Sequence, residues 1–334
     1  MVKRKFSNTI SKLRKIRYNR NRRIYKEKVI PIRKKHKINL TEQRGLKMKL
    51  GLALAGGGVK GAAHIGVIKA LEDNHITIDA IGGTSIGSIV ATLYAMGYST
   101  EKMLEIFHFF AKEIMKANPK HVVNNVRKTR RILGYGLLSG ESIEIAVREC
   151  AKAKNIKDIA DIKMPLVIPT VDILNSKEYV FTNARKIDEN HLNNIAIETA
   201  VRASCSYPVV FEPCEYNGHQ FVDGGILNNL PAKEVRNLGV DKVLSVKFSA
   251  GLNFKPKNAY DIAFKAADIL FDNRSQEAVK ESDYTLELDL SEASVFNIKK
   301  IDYCYNIGYI TTISKMKEIK KILKEEEEKY GEKE

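Results

Sequence analysis

Short apolar runs and amphipathic stretches alternate along the chain from residue 50 onward. Leu50-Gly-Leu-Ala-Leu-Ala55 is apolar and stops at Gly56-Gly57-Gly58, which predicts a buried strand. Residues 60–74 carry apolar side chains at Ala63, Val67, Ile68 and Leu71, the spacing of one helix face. Residues 76–81 predict a second strand that ends at Gly82-Gly83, and residues 85–96 a second helix closed by Gly97. The order strand, helix, strand, helix predicts a mostly parallel central sheet covered on both faces, a three-layer α/β/α fold.

Helical periodicity returns at 100–117 and 140–153, separated by a basic, irregular stretch at 119–136 that reads as a surface loop or lid. Further strands are predicted at 165–169 with 171–173, at 179–181, 220–222 and 242–248. Helices are predicted at 195–204 and at 231–238, where Pro231 suits a first turn. Beyond residue 250 the pattern gives a helix at 259–280, a strand at 284–288 and a long charged helix at 307–330, whose Glu325–Glu328 run reads as a solvated end. Three parts are expected: a basic, disordered extension at 1–47, a core domain at 50–250, and a mostly helical extension at 251–334 that packs on the core.

Charge separates the first part from the rest. The net +16 of the 334 residues is carried by residues 1–47, which hold 18 Lys/Arg against Glu27 and Glu42. The other 287 residues carry 38 charges of each sign, so the body gives no electrostatic reason to expect nucleic-acid binding. In the arm, Phe6, Ile10 and Leu13 have helical spacing, so a short amphipathic helix on an anionic surface competes with the disordered reading. A natural start at Met48 is a third reading. The arm lacks the apolar core of a secretory signal. The uncharged run 80–100 is long enough to raise a membrane span, but its Gly and Ser content reads better as a turn and a buried helix. Four cysteines without a CxxC pair exclude a disulfide framework or zinc ribbon and suit free thiols in a reducing cytosol.

Three glycine-rich sites carry the candidate chemistry. Gly56-Gly57-Gly58-Val59-Lys60-Gly61 fits a dinucleotide-type GxGxxG between strand and helix, but Asp73 and Asp79 are not placed to bind a ribose at the end of the second strand. Gly83-Thr84-Ser85-Ile86-Gly87 is a GxSxG, again between strand and helix, which is the pattern of a nucleophile elbow. Asp223-Gly224-Gly225 is a turn or a carboxylate held close to a hydroxyl. A serine nucleophile needs a base. None of the seven histidines (His36, His64, His75, His108, His121, His191, His219) follows Asp223, so the order Ser, Asp223, His is impossible. A triad built from another acid with His191 or His219 stays open, and His64 reads as a packed helix residue.

Together and in this order the three sites resemble those of the patatin-like phospholipase family. The Gly66-Val-Ile-Lys-Ala-Leu71 and Ala203-Ser-Cys-Ser-Tyr-Pro208 stretches add to the likeness, which covers about residues 50–250. The resemblance implies a patatin-like fold and a hydrolase of lipid acyl esters working through a Ser85–Asp223 dyad. Ser85 would be the nucleophile, Asp223 the general base, and the Gly57 and Gly58 N–H groups the oxyanion hole. Gly56, Lys60, Gly61, Gly83, Gly87, Gly224 and Gly225 complete the motifs, with Lys60 read as a solvated first-turn lysine. No metal or organic cofactor is implied. The implied partners are a lipid substrate and, transiently, a membrane surface, in a cytoplasmic protein. An esterase or thioesterase of soluble substrates, an inactive homologue, and a membrane- or nucleotide-binding protein are the competing readings.

Overall fold

The apolar run after Met48 forms strand β1 (Leu50–Leu54), every residue of which is buried. In the computed structural model, residues 48–116, 138–184, 188–249, 256, 259–293 and 297–323 are described. The basic arm, the 119–136 stretch and the acidic run 325–328 lie outside the described residues. Among the described residues, the remaining strands are β2 (Ala80–Gly83), β3 (Leu166–Asp172), β4 (Lys177–Thr182), β5 (His191–Leu192), β6 (Cys214–Tyr216), β7 (His219–Asp223), β8 (Lys242–Phe248) and β9 (Tyr284–Leu288). The helices are α1 (Ala62–Asp73), α2 (Ile86–Ala95), α3 (Thr100–Lys116), α4 (Glu141–Ala153), α5 (Ile197–Ser204), α6 (Ala232–Arg236), α7 (Ala259–Ala278) and α8 (Ile301–Ile322).

One mixed sheet runs in the order β5-β4-β3-β2-β1-β8-β9, with β7 added to β3 and β6 to β7. Strands β3, β2, β1, β8 and β9 are parallel neighbours. The β1–α1–β2 and β8–α7–β9 crossovers run in opposite directions across the sheet. Right-handed connections therefore put α1 and α7 on opposite faces, the doubly covered arrangement expected from the sequence. On one face α6 closes a core of Ala53, Val167, Val235 and Val243, with Ala278 and Val279 at its margin. On the other, α8 packs along α1. The contact is made backbone to backbone: a Cβ on Gly66 would stand 2.0 Å from the Tyr305 carbonyl oxygen, and one on Gly308 2.1 Å from that of Ala63. Because α1 is covered by the sheet and by α8, it is buried on more sides than a single apolar stripe implies.

Several boundaries differ from the expectation. Strand β2 begins at Ala80 rather than at 76. The gap expected at Thr170 is absent, and β3 runs unbroken from Leu166 to Asp172. The Pro169 carbonyl abuts Gly224, so its nitrogen faces the same edge of β3, in the gap between β2 and β7 where no strand asks for a donor. The hairpin β6–β7 was not expected beyond residues 220–222. Its Asn217-Gly218 turn, with φ 49° and 82°, is the strongest short hairpin signal and was legible in the sequence. Helix α8 starts at Ile301, earlier than the charged stretch suggested.

Candidate active site

The site arises where two strands meet end to end on one edge of β3. Strand β2 pairs in parallel with the first half of β3 (Ile81 with Leu166, Gly82 with Val167). Strand β7 pairs antiparallel with the second half (Thr170 with Asp223, Asp172 with Phe221). Their C-terminal ends converge, which brings Gly83-Thr84-Ser85 to Asp223-Gly224-Gly225 from 138 residues away in sequence.

Ser85 occupies the turn between β2 and α2 with φ 54° and ψ −126°, a conformation a non-glycine residue rarely adopts. The turn closes so tightly that a Cβ on Gly83 would lie 2.2 Å from the Gly87 carbonyl oxygen, and one on Gly87 2.5 Å from that of Leu54. Surrounding hydrogen bonds hold this geometry. The Ser85 N–H donates to Ser204 Oγ at 3.0 Å, the Ser88 hydroxyl to the Ser85 carbonyl at 2.6 Å, and the Thr84 hydroxyl to the Asn228 carbonyl at 2.8 Å.

Asp223 is completely buried. One carboxylate oxygen accepts the Gly225 N–H at 2.9 Å, while Oδ2 has no partner within hydrogen-bonding geometry. Burial pushes the carboxyl pKa up to about 7, and the Ser85 hydroxyl and the Gly225 N–H pull it partly back. The Ser85 hydroxyl thus faces the carboxylate and favours its ionised form, while Oδ2 stays free of any hydrogen bond.

Gly57 and Gly58 lead into a single 3-10 turn (Gly58–Gly61), and both are partly exposed, as is Ser85. The first N–H groups of such a turn have no carbonyl within it. Gly56 ties this loop to the Asp223 motif, because its N–H meets the carbonyl and Oδ1 of Asn229, each at 3.2 Å. Asn229 Nδ2 in turn donates to Ser275 Oγ of α7 at 2.8 Å. Gly61 and Gly224 complete the close fit, against the Ile86 side chain and the Pro169 carbonyl. Lys60 corrects the sequence expectation. It is buried rather than solvated, and desolvation lowers its pKa although the nearby carboxylates of Asp268, Asp272 and Asp289 act to raise it.

No imidazole is found beside Ser85 among the described contacts. His64 donates from Nε2 to the Ala55 carbonyl at 2.8 Å, and burial lowers its pKa to about 4. His191 contacts Asp188 at 2.7 Å and Glu234 at 3.2 Å, and His219 contacts Asp172 at 2.7 Å. Three supporting residues were not singled out individually in the sequence: Asn229, Ser204 and Ser206. Ser206 presents its carbonyl to the Asp223 N–H at 3.0 Å. The stretch from Ala203 to Pro208 therefore holds the backbone of both Ser85 and Asp223. Buried Arg202 locks it by binding the Ser206 hydroxyl and the Ser139 and Glu212 carbonyls.

The family model described as patatin-like phospholipase matches residues 52–236, more than half of the chain. The chain belongs to the patatin-like phospholipase family. A patatin-like phospholipase domain-containing protein of Caenorhabditis elegans is 25% identical over 300 residues, covering 80% of this chain and 26% of that protein. The lysophospholipase NTE1 of Meyerozyma guilliermondii is 31% identical over 212 residues, 64% of this chain and 13% of the relative. Human patatin-like phospholipase domain-containing protein 6 is 31% identical over 199 residues, 59% of this chain and 13% of the relative. The chain thus spans about a quarter or less of the length of these relatives. Among solved structures, VipD from Legionella pneumophila aligns with a TM-score of 0.48 at 16% identity, over 84% of this chain and 67% of that one.

Proposed function

We propose that this member of the family hydrolyses acyl esters of lipids, as a phospholipase A or lipid acyl hydrolase, through Ser85 and Asp223. The observation that carries the reading is the juxtaposition of a hydroxyl on a strained, glycine-cleared turn with a buried carboxylate whose Oδ2 is unpartnered. In the proposed cycle the Ser85 hydroxyl attacks the ester carbonyl and passes its proton to Asp223. The N–H groups of Gly57 and Gly58 hold the resulting oxyanion, each such donor contributing about 2.7–4 kcal/mol to the transition state. Collapse expels the alcohol or lysolipid, which takes the proton from Asp223. Water then attacks the acyl-serine with the same carboxylate as base, and the fatty acid leaves.

In this reading the substrate brings the chain into transient contact with a membrane surface. Among the described residues no helix is long and apolar enough to cross a membrane, and no group of three or more His, Cys, Asp or Glu is disposed to hold a metal ion. The test is fatty-acid release from several phospholipids and neutral esters by wild type, Ser85→Ala and Asp223→Asn. Release by wild type alone supports the dyad, and undiminished release by either variant contradicts it.

A further inference from the structure

Helix α7 is turned inside out in its distribution of charge. Between residues 262 and 273, the described positions that are exposed are Ile262, Ala263, Ala266, Ile269, Leu270 and Asn273, none of them charged. Ile262 is 60% and Ile269 53% exposed. The charged residues Lys265, Asp268 and Asp272 are half-buried. Asp268 and Asp272 lie toward buried Lys60, and Asp272 also toward Lys247, which pairs with Glu287 at 2.9 Å. Positions 262, 266, 269 and 273 share one side of a 3.6-residue helix, with Asp268, Phe271 and Ser275 on the opposite side and Asp272 on the flank between. A helix at a water-exposed surface carries its charges outward. Here the ionic layer lies underneath and the apolar stripe outside.

The position of the stripe is as telling as its composition. Phe271 packs against Gly225 and stacks edge-on with Tyr207, and Ser275 holds Asn229. These contacts anchor the second half of α7 on the candidate catalytic loops. The helix runs from the end of β8, where Phe248 abuts Gly57, toward the start of β9. At about 1.5 Å per residue, the first three turns therefore extend past the catalytic edge of the sheet.

We propose that the outer face of α7, centred on Ile262, Ile269 and Leu270, is the surface that docks on the lipid bilayer and presents lipid to Ser85. This rests on the lipid-hydrolase reading for its occupant: the uncharged stripe adjoins the site where an acyl ester has to arrive. Because the stripe is uncharged, the docking it provides works on zwitterionic membranes and is insensitive to salt. Any contribution of the basic arm requires anionic lipid and fades with salt, so the two modes separate experimentally.

The experiment compares full-length wild type with Ile262→Gln/Ile269→Gln/Leu270→Gln, and with Ile310→Gln/Ile313→Gln as a control for two exposed residues on α8. Partition onto phosphatidylcholine vesicles at high salt is measured beside hydrolysis of vesicular phospholipid, hydrolysis of a monomeric short-chain ester, thermal melting and sedimentation. The α7 variant is expected to lose partition and vesicular hydrolysis by about tenfold or more, with monomeric-ester turnover, melting and sedimentation unchanged. The α8 control is expected to match wild type. Unchanged partition of the α7 variant overturns the proposal. So does an equal loss on the monomeric ester, which would place these residues in the site's own construction, or a wild-type dimer that the substitutions dissociate, which would make a second copy the occupant. If wild type partitions through α7 yet hydrolyses no lipid, the docking surface stands and the hydrolase reading falls.

Discussion

The candidate catalytic edge and the α1–α8 helix pair are both built on glycine, but to opposite ends. At the edge, Gly83 and Gly87 let a turn close so tightly that Ser85 is held at φ 54° beside a buried carboxylate. Strain and an uncompensated polar group are both retained there, and both cost stability. In the helix pair, Gly66 and Gly308 let two backbones touch, and nothing strained or unpaired is gained by it. In the proposed mechanism one set of glycines serves reactivity, and the other serves cohesion. Motif searching finds the first set because the chemistry imposes spacing. The second set has no local signature, since Gly66 and Gly308 acquire meaning only once α8 returns to α1.

Substitutions at the two places are therefore expected to separate activity from stability. The largest effect falls on Ser85→Ala, which is expected to lower ester turnover by about 10⁴-fold or more while leaving the melting temperature near wild type. Asp223→Asn is expected to lose comparable activity but to melt higher than wild type at about pH 8. The folded-state pKa is raised, so ionising Asp223 as pH climbs from its ordinary range to about 7 costs folding free energy that the amide does not incur. The stabilisation is expected to shrink toward about pH 4, where the carboxyl is protonated in the folded state. A melting curve for Asp223→Asn that tracks wild type at both pH values would remove the buried-carboxylate cost from the account.

Gly308→Ala breaks the comparison from the other side. Its new Cβ meets the Ala63 carbonyl, and overpacking of this kind costs about 1–3 kcal/mol. Denaturant titration is expected to show that loss, with turnover per folded molecule retained. Ser204→Ala has the smallest expected effect. It deprives the Ser85 N–H of its acceptor and is expected to reduce turnover by about tenfold through a looser elbow, given about 1–3 kcal/mol for a stranded donor. Unchanged turnover there would show that Gly83 and Gly87 suffice to hold the turn.

The sequence made the α/β/α order and the positions of Ser85 and Asp223 legible because glycine and hydrophobic periodicity are local signals. It left hidden what depends on strands meeting in space. Nothing local announces that β2 and β7 share one edge of β3, which is what joins Ser85 to Asp223. Burial of Lys60 depends on α7 and α8 folding over it, so a first-turn lysine looked solvated. Asn229 and Ser204 are ordinary polar residues in a sequence, and become supports only through Gly56 and Ser85.

The central claim is that a carboxylate, with no imidazole between, activates Ser85. It is tested most directly by the rate at which a fluorophosphonate labels the protein across pH, with the adduct mapped by mass spectrometry. The account predicts a single adduct on Ser85, a rate that rises with pH through about 7 as Asp223 ionises, and no comparable labelling of Asp223→Asn. Labelling of Asp223→Asn at the wild-type rate, or loss of labelling on replacing His64, His191 or His219 in an otherwise folded protein, would contradict it.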